Sequence, residues 1–146
     1  MLERLRRLLP GLWARVLLCI AAIAAPAAFA LLERPVAGQV VGWFFQREAW
    51  MSIGLAVALL AIERSRARAA AAVGDGSVLS TEILLLLGTV FCTVAGYFGL
   101  QPLMAAARAG QGALSFGQLH IISVCFFGAK LLCILALAWR AADARR

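Results

Sequence analysis

Long apolar stretches separated by short polar segments dominate the pattern of this chain. Four of them cover approximately residues 12–32, 40–62, 83–104 and 116–139. Each reaches the ~20 residues that an α-helix needs to cross the hydrocarbon core of a bilayer. The hydrocarbon core offers no hydrogen-bond partners, so a spanning segment must pair its own backbone amides and carbonyls. Stretches of this length therefore predict helices. The pattern predicts an all-α integral membrane four-helix bundle, with residues 1–146 forming one transmembrane domain.

Turn and capping signals separate the stretches. Glu33-Arg34-Pro35 predicts a tight turn with proline in the first turn of the next helix. Gly74-Asp75-Gly76 predicts a second turn, and Ser80 predicts the start of the third helix. Ser115 and Gln118 have the spacing of a capping box at the start of the fourth.

Basic residues are distributed unequally on the two sides of the predicted helices. Of 14 Lys and Arg residues, ten fall on the side of both termini: Arg4, Arg6, Arg7, Arg15, Arg64, Arg66, Arg68, Arg140, Arg145 and Arg146. The other side has Arg34, Arg47 and Arg108, and Lys130 lies within a span. Cytoplasmic loops retain Lys and Arg, so both termini are predicted to be cytoplasmic, in a multi-pass protein of the inner membrane.

Composition agrees with this class. The chain is 64 % hydrophobic and 14 % charged, whereas charged residues make up about a quarter of a soluble domain. The net charge of +7 comes from residues that flank apolar segments and form no patch with interleaved aromatics, so no nucleic acid partner is expected. Anionic lipid headgroups at the cytoplasmic face are the expected counter-charge. Trp13 and Trp139 are predicted at the inner membrane boundary, and Trp43, Tyr97 and Phe116 at the outer one.

The first stretch also has an alternative interpretation. Its basic start and the Ala28-Phe29-Ala30 pattern are typical of a cleaved signal peptide. The apolar run continues to Leu32, which is longer than a signal peptide's apolar region and favours a retained span. Pro26 within it predicts a kink.

Small residues repeat every fourth position on the third predicted helix. Gly88, Cys92 and Gly96 share one face and predict a close helix contact. All four cysteines lie inside apolar stretches without a C-x-x-C pair, so they are predicted to behave as small buried apolar residues: Cys19, Cys92, Cys125 and Cys133. Neither a disulfide nor a metal site is expected from this spacing.

Lys130 is the most unusual residue, because it lies ten positions before the inner boundary at Arg140. At ~1.5 Å per residue its depth is ~15 Å, near the middle of a bilayer. Counting along the other helices places Ser52 and Thr89 at that depth, with Glu48 and Thr93 one turn further out. We therefore hypothesise an intramembrane ion pair between Lys130 and Glu48, surrounded by these hydroxyl groups.

Two interpretations of this polar layer stay open. A buried lysine commonly marks a substrate, proton or ion site. It can also snorkel on an exposed face or form a purely structural pair. His120, Ser123 and Lys130 fall on one side of the fourth helix, which favours an inward face. His120 is the only histidine and is either a pH-sensitive group or a hydrogen-bonded structural residue.

Five short groups of residues carry a family resemblance. They are Leu12-Trp13, Pro26 with Phe29, Arg34-Pro-Val-Ala-Gly-Gln-Val-Val-Gly-Trp-Phe-Phe, Glu48-Ala-Trp, and Phe116-Gly-Gln-Leu-His120 with Ser123. Together they make residues 12–139 resemble the transmembrane protein 205-like family, whose bacterial members are four-helix membrane domains of unknown function. Family members usually have glycine where this chain has Ile121, and the glycine expected early in the first helix is absent. The resemblance implies a membrane bundle without established catalytic chemistry and supplies no substrate.

The sequence therefore leaves two functional hypotheses. The first is a small-solute or ion transport or permeation protein that acts as an oligomer around the polar layer. The second is an accessory or assembly subunit that docks another membrane protein through the Gly88, Cys92 and Gly96 face. An enzyme is not expected, because no nucleophile elbow, phosphate loop or zinc-protease motif is present. No catalytic residue, metal or cofactor is predicted.

Overall fold

Four long helices make up the computed structural model, which describes residues 2–74 and 78–143. They are α1 (Leu2–Leu31), α2 (Arg34–Ala72), α3 (Thr81–Arg108) and α4 (Phe116–Asp143), and each is long and apolar enough to cross a membrane. The predicted all-helical class and the number of membrane-length helices are confirmed. Asp75 and Gly76 of the predicted turn, and the basic residues Arg145 and Arg146, lie outside the described residues.

The helices form an antiparallel bundle. Each packs against its neighbours in the chain, and α4 also packs against α1. Short connections between long helices produce this up-and-down arrangement. We call the end with residues 2 and 143 the termini end. The end with the α1–α2 and α3–α4 connections is the hairpin end.

The predicted helix starts are confirmed by their hydrogen bonds. Ser80 Oγ accepts a hydrogen bond from the Ile83 amide at 3.3 Å. At α4, the Ser115 amide donates to Gln118 Oε1 at 2.9 Å and the Gln118 amide donates to Ser115 Oγ at 3.3 Å. These contacts satisfy amide groups that the first helical turn leaves unpaired.

Two helices contain π-helical segments, at Ile20–Ala24 in α1 and Val94–Gly99 in α3. A proline follows each segment closely, Pro26 in α1 and Pro102 in α3. Proline has no amide hydrogen and its ring crowds the carbonyl of the preceding turn, so a wider turn relieves the contact. The disturbance predicted at Pro26 therefore takes the form of a π-helical segment.

Apolar packing fills the termini half of the bundle. The cluster contains residues of all four helices: Trp13, Ala14, Leu17, Ala56, Leu59, Leu86, Ile134 and Leu137. Trp13 is only 1 % exposed and packs inside the bundle, and its depth relative to a membrane stays a prediction. Trp139, by contrast, is 72 % exposed. Two of the predicted buried cysteines, Cys19 and Cys125, are exposed, and Cys92 and Cys133 are half-buried.

The small-residue face of α3 packs against α4. A Cβ atom added to Gly88 would lie 3.5 Å from Cys133 Sγ, which is an ordinary contact. A Cβ atom added to Gly96 would overlap the Phe126 side chain. Gly88 and Gly96 are therefore covered within the chain, whereas Cys92 is half-buried. Of the three residues through which a separate membrane protein was predicted to dock, two therefore contact α4, and the docking itself stays a prediction.

This contact predicts different effects for two glycine substitutions. Gly96→Ala should lower the free energy of unfolding by about 1–3 kcal/mol, because Phe126 must move. Gly88→Ala is the matched control and should not lower the free energy of unfolding, because its new methyl group has room. Titration with SDS in mixed micelles measures both values. Equal effects of the two substitutions would contradict the close approach at Gly96.

Candidate functional site

A buried ion pair joins α2 and α4. Lys130 Nζ lies 2.7 Å from Glu48 Oε2 and 2.9 Å from Glu48 Oε1. The two side chains are only 4 % and 2 % exposed. Side chains on a helix tilt toward its N-terminus, so both point toward the hairpin end, where α2 and α4 begin. The structure thus brings together the two charges that the depth estimate placed about one turn apart.

Hydrogen bonds extend the pair to α1. The Ser52 hydroxyl donates to Glu48 Oε1. The Trp13 indole N–H in turn donates to Ser52 Oγ at 3.0 Å. Lys130 Nζ also lies 5.0 Å from the centre of the Phe127 ring, which is a cation–π distance. Within the described residues, every buried side-chain nitrogen or oxygen has a hydrogen-bond partner. In this group, each buried charge and each buried hydrogen-bonding atom therefore has a partner.

The two threonines of the predicted polar layer take another role. Thr89 and Thr93 are both buried. Their hydroxyls donate to carbonyls of α3 itself, Thr89 to Leu85 O at 2.9 Å and Thr93 to Thr89 O at 2.8 Å. The structure therefore unites Lys130, Glu48 and Ser52 in one hydrogen-bonded group and leaves both threonine hydroxyls outside it.

A cavity of about 490 Å³ extends from this ion pair to the hairpin end. All four helices line it, and Glu48 and Lys130 lie at its inner end, whereas Arg108 and Phe116 lie at its outer end. Along α4 the distance from Phe116 to Lys130 is about 21 Å, from the helical rise. The volume falls within the range of small-molecule sites in proteins.

The walls of the cavity differ in character. The side formed by α1 and α2 is largely apolar, with Ala21, Ala25, Phe29, Val41 and Phe45. The side formed by α3 and α4 carries most of the polar groups, namely Thr93, Tyr97, Gln101, Arg108, His120 and Ser123. Both π-helical segments contribute, through Ala21 and through Gly96 and Tyr97. The Gly96 carbonyl accepts a hydrogen bond from Ser123 at 3.2 Å.

His120 lies at the mouth of this cavity. Its exposed ring stacks on Phe116, with 6.0 Å between the ring centres and 14° between the planes. The Arg108 guanidinium lies 4.6 Å from the centre of the Phe116 ring. Within the described residues, no group of three or more His, Cys, Asp or Glu side chains could hold a metal ion.

Sequence reasoning missed charged contacts at the termini end. Arg6 is buried and donates to Glu3 at 2.8 Å and to Glu63 at 3.4 Å, which links α1 to α2. Arg140 donates to Glu82 at 2.8 Å and links α4 to α3. Arg6, Trp13 and Leu17 follow helical spacing on one face of α1. That periodicity was the available signal that this face is buried.

The structure is an all-helical bundle with a buried ion pair and four helices that are long and apolar enough to cross a membrane. These features indicate a multi-pass membrane protein. The profile of a domain of unknown function (DUF4149) matches residues 8–113, which is more than half of the chain. The chain therefore belongs to the DUF4149 family. The matched range contains Trp13, Glu48 and Ser52 and ends before Lys130. Comparison with curated proteins and with solved structures found no match.

The ion pair predicts strongly coupled mutations. Lys130→Met and Glu48→Gln should each lower the free energy of unfolding by about 3–5 kcal/mol, because each leaves an unpaired buried charge. The double variant should lose much less than the sum of the two, because it leaves neither charge. Unfolding by SDS in mixed micelles gives the coupling energy. Single variants as stable as wild type, with an additive double variant, would falsify the pairing.

Loss of the indole hydrogen bond should have a smaller effect. Trp13→Phe keeps an aromatic ring in the core but removes the donor to Ser52, and we expect a loss of about 1 kcal/mol. The matched control is Trp139→Phe, because Trp139 is exposed. The same unfolding titration compares them. A cost for the control as large as for Trp13→Phe would argue against a specific role of the hydrogen bond.

Proposed function

We propose that the protein handles a small solute or ion in the bacterial inner membrane, as a transport or permeation protein rather than an enzyme. The supporting observation is the cavity that runs from the hairpin end to the Lys130–Glu48 ion pair. A solute in this cavity meets apolar walls, a few polar groups and two opposite charges shielded from water.

The proposed orientation follows from charge. Described basic residues concentrate toward the termini end, on the first turns of α1 and the last turns of α2 and α4: Arg4, Arg6, Arg7, Arg64, Arg66, Arg68 and Arg140. Under the positive-inside rule this end is cytoplasmic. The cavity then opens toward the periplasm. The resemblance to the transmembrane protein 205-like family supports the bacterial membrane setting of this proposal.

Transport would require the termini half of the bundle to open, because apolar side chains close it. Beyond the ion pair, the cluster around Trp13, Leu59 and Ile134 fills the termini half. Passage needs these side chains to separate, and the Arg6–Glu63 contact holds α1 to α2 beside them. In this conformation the cavity is accessible from the hairpin end. Rearrangement of the ion pair would couple solute binding to opening of the other half.

One helical bundle of this size encloses a single small cavity, so the proposal includes assembly into a homo-oligomer in the bilayer. Anionic headgroups pair with the basic residues at the cytoplasmic face. An accessory role remains the second hypothesis from the sequence. Its docking surface would have to lie elsewhere than on Gly88 and Gly96, because α4 covers them.

Native Cys92 provides a direct test, because it is half-buried and lines the cavity. In a variant that keeps only Cys92, a membrane-impermeant sulfonated thiol reagent applied from the periplasmic side should label it. Thiol reagents of this kind require water, which the cavity would supply. Labelling is measured by the mass shift of the purified protein.

The matched control keeps only Cys133, which is equally half-buried but packs toward Gly88 outside the cavity. It should react several times more slowly than Cys92. Failure of Cys92 to react from either side of the membrane, in a folded variant, would rule out a solute path to the ion pair.

A further inference from the structure

The cavity also opens at the side of the bundle, between α1 and α4. The first segment of α1, Leu2–Cys19, packs against α4, whereas Ala25–Leu31 packs against α2. Phe29 of α1 and Val124 of α4 line the cavity and are also exposed. The rim between these helices is therefore apolar and faces the surroundings of the bundle. In a bilayer this is the acyl-chain region.

Charge at the mouth specifies the kind of ligand. Four of the side chains that line the cavity are a carboxylate, a histidine or a basic group: Glu48, Arg108, His120 and Lys130. Glu48 and Lys130 neutralise each other at the inner end. In the described part of the chain, no carboxylate forms an ion pair with Arg108. The cavity therefore has one uncompensated positive charge, held at its mouth against Phe116.

We propose that this site binds a single-chain aliphatic carboxylate that enters from the bilayer between α1 and α4. The carboxylate pairs with Arg108, beside His120. The alkyl chain lies along the apolar wall formed by Ala25, Phe29 and Phe45. Arginine suits this role because its planar guanidinium binds carboxylates with two parallel hydrogen bonds. An aliphatic carboxylate therefore contacts both the apolar wall and the unpaired charge.

This inference rests on the proposed function, because it names the solute class for the same cavity. The experiment uses the variant with only Cys92 in phosphatidylcholine nanodiscs, with dodecanoate as the probe. Bound dodecanoate should slow the reaction of Cys92 with the thiol reagent. Methyl dodecanoate has the same chain without the charge and should protect weakly. Acetate has the charge without the chain and should not protect.

Arg108→Gln should raise the dodecanoate concentration that gives half-protection about tenfold, as expected for loss of a hydrogen bond to a charged group. Arg34→Gln is the matched control, because Arg34 is an exposed arginine at the hairpin end that does not line the cavity. It should leave protection unchanged. Arg108→Lys should retain part of the affinity, since it keeps the charge but loses the planar pair of donors.

The inference would be overturned by equal protection by the acid and its ester, by protection by acetate as strong as by dodecanoate, or by an unchanged half-protection concentration in Arg108→Gln. A reactive Cys92 without protection by dodecanoate also rejects it and leaves the proposed function standing. An unreactive Cys92 instead rejects the proposed function itself. The two proposals therefore fail in different, recognisable ways.

Discussion

The rest of the bundle depends on the ion pair between Lys130 and Glu48. Two opposite charges shielded from water are tolerable only when each satisfies the other, since an isolated charge in this position costs several kcal/mol. The contact therefore sets the rotation of α4 and α2 about their axes. Ser52 and Trp13 extend the same constraint to α1, because a hydroxyl and an indole N–H complete the group.

Packing on the two sides of this pair is different. Toward the termini end, large apolar side chains such as Trp13, Leu59 and Ile134 fill the interior. Toward the hairpin end, the helices enclose a cavity. The π-helical segments Ile20–Ala24 and Val94–Gly99 contribute residues to its wall, and each precedes a proline. Local backbone chemistry thus helps to decide where the bundle closes and where it stays open.

The sequence was sufficient for features governed by local rules. Helix number follows from apolar length, the starts of α3 and α4 follow from Ser80 and Ser115, and the helical rise brings Lys130 near Glu48 in depth. The burial of Trp13 inside the bundle was not predicted, because α1 begins at Leu2, well before its apolar stretch. Hydropathy alone predicts that Arg6 is exposed to solvent. Arg6 is buried instead, because Glu63 compensates its charge. The cavity depends on the relative positions of four helices, which no local pattern contains.

The two positive charges of the cavity have different consequences for a ligand. An anion that reached Lys130 would have to compete with Glu48, which already accepts two hydrogen bonds, of 2.7 and 2.9 Å, from the ammonium group. Arg108 offers its charge without such competition. An anionic group therefore binds most favourably at the mouth. Only the uncharged part of the ligand binds more favourably deeper in the cavity. The distribution of charge along the cavity thus favours a ligand that is itself charged at one end and apolar along its length.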